Sequence, residues 1–136
     1  MQLNPYFIFN GNCEEALNFY AQALGGEILH LMRFGDAPGD SQASGDKNMV
    51  MHATFKAGDI MIMASDSGNH PVKDTGSGQV FLNINCDDAG SQDKMYNALC
   101  EGGKVLMPLN DTFWGARFGM VSDKYGINWM LNLEKK

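Results

Sequence analysis

An internal repeat constrains this chain more than any other feature. Asn12-Cys13-Glu14-Glu15-Ala16 is matched by Asn85-Cys86-Asp87-Asp88-Ala89. Ala23-Leu24-Gly25-Gly26 is matched, at nearly the same spacing, by Ala98-Leu99 with Gly102-Gly103. Acidic side chains suit the first turn of a helix, where peptide N–H groups lack partners, and glycine is the usual stop. Between these signals Ala16, Leu17, Phe19, Tyr20, Ala23 and Leu24 share one helical face. The repeat therefore predicts two copies of one unit, each with a helix that follows one strand and precedes three.

In the first copy, the pattern predicts strands over Leu3–Asn10, Glu27–Phe34, Asn48–Lys56 and Asp59–Ser65, with Asn12 capping a helix from Cys13. In the second, Gln79–Cys86 reads as a strand and Asp87–Glu101 as a helix. Asp111–Leu133 closes the chain with two strands around a turn at Asp123–Gly126. The expected class is α+β: two tandem βαβββ modules whose sheets curl into one mixed sheet around a central trough, helices outside. Module one spans 1–66, a polar connection 67–78 and module two 79–136, all in one domain.

Alternation along each strand sorts residues between helix and trough. Val80, Leu82 and Ile84, with Ile127, Trp129 and Leu131, are assigned to the helix side. Gln79, Phe81, Asn83 and Asn85, with Asn128, Met130 and Asn132, are assigned to the trough. Phe7 and Met63 are placed in the trough wall of module one. Amides among apolar groups suit a ligand site, because a buried amide without a partner is costly.

A formal charge of −6 with no basic run disfavours nucleic acid and anionic membrane as partners. No apolar run reaches the roughly 20 residues of a membrane span, and no leader pattern is visible at the N-terminus. Three cysteines without paired spacing point to free thiols in a reducing, cytoplasmic setting.

His52 lies mid-strand among apolar neighbours. It reads either as a trough-facing general base or replacement metal ligand, or as a histidine satisfied by a nearby backbone group. His30 and His70 read as solvated. Arg117 either holds a ligand carboxylate or pairs with one of the 16 acids. Phe113 and Trp114 either close over the trough mouth or pack in a core or dimer contact. Cys13, Cys86 and Cys100 read as structural.

Thr112-Phe113-Trp114-Gly115 and Ser122–Asn132, with Phe19-Tyr20 and Leu24-Gly25 on a duplicated βαβββ chain, resemble the PhnB-like branch of the vicinal oxygen chelate superfamily, which shares the glyoxalase and bleomycin-resistance fold. Metal-dependent members hold a divalent ion at four strand positions. The resemblance puts these at about Pro5, within Ile60–Ala64 at about Met63, at Gln79 and at Met130. Pro5 lacks a side-chain donor and thioethers suit hard divalent ions poorly. No metal and no other cofactor is therefore expected. Mn, Zn, Ni or Fe would need a rearranged site built on His52 and Gln79 with a donor such as Asp66.

PhnB-like chains also carry a ubiquinone-precursor methyltransferase label, but no glycine-rich cofactor loop is visible. The resemblance implies a homodimer. Three readings follow: a small-molecule-binding protein, a metal-dependent lyase, isomerase or dioxygenase using His52, and a non-catalytic interaction module.

Overall fold

Cys13–Leu24 folds as the helix that the apolar spacing predicts, with Gly25 in the left-handed region at its end. The computed structural model describes residues 1–36, 46–68 and 78–135, so His70 lies outside the described residues. The chain divides into two compact units, Met1–Lys73 and Asp74–Lys136. The first contains β1 (Tyr6–Phe9), α1 (Cys13–Leu24), β2 (Glu27–Arg33), a 3-10 turn (Phe34–Asp36), β3 (Val50–Ala57) and β4 (Ile60–Asp66). The second contains β5 (Leu82–Asn85), α2 (Ala89–Cys100), β6 (Lys104–Asp111), β7 (Ala116–Ser122) and β8 (Asn128–Glu134).

The sheet orders are β1-β4-β3-β2 and β5-β8-β7-β6, with only the β1–β4 and β5–β8 pairs parallel. Both units are thus βαβββ, each a four-stranded mixed sheet with one helix of 12 residues. The class is α+β, as the repeat predicts. The first strand of each unit is shorter than its apolar run. Pro5 has no N–H for the ladder, and Val80 is exposed ahead of β5 rather than packed on the helix.

In unit one, Phe7, Ala64 and Ala53 stand in register across β1, β4 and β3, with Ile62 opposite Phe55. All are buried, and the Phe7 ring meets Tyr20 of α1 at 6.0 Å between centroids. Phe7 is therefore on the helix side, which corrects its assignment to the trough wall. In unit two the helix side carries Trp129, Leu131, Val121 and Gly119 against Gln92, Tyr96 and Leu99 of α2. A Cβ on Gly119 would meet Tyr96 and Leu109 at 2.9 Å, so glycine is needed for this close approach.

The two units cap their helices differently. Asn12 makes no side-chain cap bond. Instead the buried Asp66, at the end of β4, accepts from the Gly11 and Cys13 amides at 2.9 Å through Oδ1, and from Val50 at 2.8 Å through Oδ2. That carboxylate joins the helix start, β3 and β4. On α2 the local residue Asp88 accepts from Ser91 N–H at 2.8 Å. Unit two has its own buried carboxylate, Asp123, in the β7–β8 turn. Its Oδ1 accepts from Tyr125 and Ile127 amides at 2.8 and 3.1 Å, and its Oδ2 from Trp129 Nε1 at 2.8 Å.

The double glycines are a two-part stop. Gly25 and Gly102 both have φ of +74°, open to glycine at little cost. At Gly26 and Gly103 a Cβ would run into the Lys56 and Ser122 carbonyls.

Candidate functional site

Each sheet has one face away from its helix. In unit one the in-register row Tyr6, Met63, Thr54, His30 crosses all four strands on that face. The next row brings Ile8 beside Ser65 and His52 beside Met32. His52 is the centre of the group: its ring lies 6.0 Å from Tyr6 and 6.4 Å from His30. His52 and Met63 share the helix-free face. His30, exposed as its sequence setting predicts, lies on the same face. A register shift between Ile28 and His30 moves its side chain to this face, and a local irregularity leaves no mark in a period-two pattern.

The helix-free face of unit two is built in three rows. Asn85, Asn132, Phe118 and Asn110 form one, and Asn83, Met130, Met120 and Met107 the next. Asn128, Ser122 and Lys104 form the third. Asn85 Oδ1 accepts from Asn83 Nδ2 at 3.1 Å and from Asn132 Nδ2 at 3.2 Å. Among the described residues this leaves the Asn85 Nδ2 and the Oδ1 atoms of Asn83 and Asn132 for other partners. Trp114 packs edge-on against Phe118 at 6.1 Å and against Phe113 at 5.1 Å. Trp114 is 59% and Phe113 97% exposed, so neither is a core residue within this chain. A recess of ≈ 340 Å³ opens there, lined by Trp114, Gly115, Ala116, Asn132, Glu134 and Lys135. The methionine row is soft, adaptable apolar surface between amides and lysine.

Other expected site residues lie elsewhere. Arg117 is on the helix side, where its guanidinium reaches Asp93 at 2.6 Å and Gln92 Oε1 at 3.1 Å. Gln92, fully buried, in turn donates to the Arg117 and Leu131 carbonyls. Arg117 is thus a clamp between β7 and α2, which corrects its place in the trough. Gln79 is exposed and precedes β5, whereas the residue opposite Met130 is Asn83. Phe81, half-buried, also precedes β5. Asp66 has both oxygens engaged by amides on the helix side, so it is no companion donor for His52.

The donor chemistry does not fit the superfamily's divalent ion. Pro5 contributes no side-chain donor and its carbonyl already accepts from Met63 N–H at 3.0 Å. Met63 and Met130 offer neutral thioethers, and Gln79 a single amide. Among the described residues no three His, Cys, Asp or Glu side chains gather as a metal-holding group.

The thiols are held neutral. Burial, then Asp66 and Glu14, push Cys13 up from 9.0 to about 12, despite its place at a helix start. Burial, then Asp87, raises Cys86 to about 11. Their folded values exceed the unfolded one, so their stabilising contribution is full below about pH 9 and is lost as pH rises through 11–12. We expect urea midpoints to fall above pH 9, and Cys13 to resist a disulfide-exchange reagent at pH 8 unless the chain is denatured. Fast native labelling of Cys13 would contradict this.

The chain matches the family described as 3-demethylubiquinone-9 3-methyltransferase over residues 1–132. It is 30% identical to Protein YjdN of Escherichia coli K12 over 145 residues, covering 100% of this chain and 97% of that protein. Protein PA1353 from Pseudomonas aeruginosa has a similar structure, with a TM-score of 0.81 and 42% identity over 100% of this chain and 99% of that one. A PhnB protein from Bacillus cereus, described as a putative 3-demethylubiquinone-9 3-methyltransferase, gives a TM-score of 0.78 at 29% identity, covering 98% and 99%. At 14% identity, the fold alone extends to a glyoxylase/bleomycin resistance protein/dioxygenase domain from Frankia, with a TM-score of 0.71 over 99% of this chain and 98% of that one. Repeat, strand order and these matches agree: the chain belongs to the PhnB-like family described as 3-demethylubiquinone-9 3-methyltransferase, and its fold is that of the glyoxalase and bleomycin-resistance proteins.

Proposed function

We propose that this chain is a small-molecule-binding protein that uses the helix-free sheet faces, above all that of unit two, and works without the superfamily's metal tetrad. The observation that carries this is the amide group Asn83–Asn85–Asn132 beside Phe118, Trp114 and a recess of ≈ 340 Å³. Partly satisfied amides next to aromatic and thioether surface fix a ligand's orientation while apolar contact supplies affinity. The methyltransferase activity in the family's description is not part of this reading. The double glycines are helix stops whose backbones are set by packing, so they cradle no cofactor.

A thermal-shift screen of metabolites tests the reading. A ligand at a hundred times its Kd stabilises the folded chain by about 2.7 kcal/mol, a clear rise in Tm. Asn132→Leu should abolish that rise while leaving the unliganded Tm nearly unchanged, since Asn132 is not a core residue. A flat screen overturns the reading and favours an interaction module. Stoichiometric Mn, Zn, Ni or Fe in dialysed protein, purified without a metal-affinity tag, would overturn its metal-free part.

A second reading, an enzyme with a rearranged site, is favoured by one observation: His30 and His52 lie 6.4 Å apart beside Tyr6. It requires His52→Ala to remove turnover with little loss of stability. The proposal also takes the chain as a cytoplasmic homodimer, which light scattering after size exclusion would check.

A further inference from the structure

The third row of unit two's helix-free face has a chemistry unlike the other two. Asn128, Ser122 and Lys104 stand side by side across β8, β7 and β6. With Phe81 before β5 and Lys124 in the following turn, they line a recess of ≈ 470 Å³. Two cations meet there in a chain of net charge −6. Lys104 makes no ion pair among the described residues, in contrast to Arg33, Arg117 and Lys135. Lys124 rests its ammonium 5.5 Å from the centre of the Tyr125 ring. The one carboxylate in the lining, Asp123, is buried and already accepts three N–H donors from its own hairpin. The neighbouring Gly103 and Gly126 amides donate to the Cys100 and Asp123 carbonyls.

We propose that this recess binds a small molecule that joins an oxyanion, carboxylate or phosphate, to a flat apolar ring. The Lys104 and Lys124 ammonium groups hold the anion, the Ser122 hydroxyl and the Asn128 amide donate to it, and Phe81 packs on the ring. The volume lies in the range of about 300–1,000 Å³ usual for such ligands. The assignment rests on the reading that these faces bind small molecules, and it adds a charge requirement at one end.

Calorimetric titration of the full chain with phenyl phosphate, benzoate, inorganic phosphate and benzyl alcohol tests it. Phenyl phosphate or benzoate should bind more tightly than inorganic phosphate, and binding should weaken as salt screens the lysines. Lys104→Met and Lys124→Met should each weaken the anion by about tenfold or more, the scale of a lost hydrogen bond to a charged group. Ser122→Ala serves as a further variant if either methionine substitution lowers the Tm. Absence of anion binding, or anion binding unmoved by both lysine changes, overturns the proposal. Binding of benzyl alcohol alone, lost in Asn132→Leu, would also overturn it while leaving the small-molecule reading intact.

Discussion

Asp66→Ala should destabilise unit one by about 3 kcal/mol or more, because three amide N–H groups lose one shared buried acceptor. Three amides lose their acceptor at once: Gly11 and Cys13 at the mouth of α1, and Val50 at the start of β3. A buried N–H without a partner costs roughly 1–3 kcal/mol by itself. Against a total stability of about 5–15 kcal/mol, one substitution removes a large fraction. Asp66→Asn should cost less, because its carbonyl still serves the helix mouth while its NH₂ group opposes Val50 N–H. Urea denaturation of both variants checks the order, and a loss under about 1 kcal/mol for alanine would refute the cap.

Asp123→Ala should have a comparable effect in unit two, about 3 kcal/mol or more. It unties the β7–β8 turn at Tyr125 and Ile127 and strands the indole N–H of Trp129, which is 1% exposed. The change is visible spectroscopically. In a Trp114→Phe background Trp129 is the remaining indole, and its emission should shift to the red as the pocket around it loosens. Unchanged emission with unchanged stability would mean that the turn does not depend on this carboxylate.

The two aspartates show where sequence reasoning reaches and where it stops. The α1 helix was legible because its apolar spacing and Gly25 stop are local, and the β7–β8 hairpin because Trp129 and Leu131 alternate with amides. Asp66 as the cap was not legible, since it arrives from 53 residues away and displaces the local candidate Asn12. Phase failed at Phe7 because all four residues of β1 are apolar, so alternation offers no choice of face. At Arg117 the grouping with Gly119 and Val121 holds, but its side was settled only by packing of Tyr96 onto Gly119. His30 needed a register shift between strands to reach His52. Of the expected site residues, Asn83, Met130, His52 and Met63 share the helix-free faces, and Phe7 and Arg117 do not.

The face assignment is also what the glycines support from the opposite direction. Gly26, Gly103 and Gly119 each allow another group to approach where a Cβ has no room. They belong to packing on the helix side, apart from the histidine face of unit one and the amide, methionine and lysine rows of unit two.

The most direct test is an amide chemical-shift map of the chain titrated with a ligand from the thermal screen. Perturbations should cluster on Asn83, Asn85, Phe118, Met130 and Asn132, with the Trp114 indole shifting alongside. Perturbations centred instead on Gln92, Asp93 and Arg117 at the helix side would contradict the helix-free face as the binding surface.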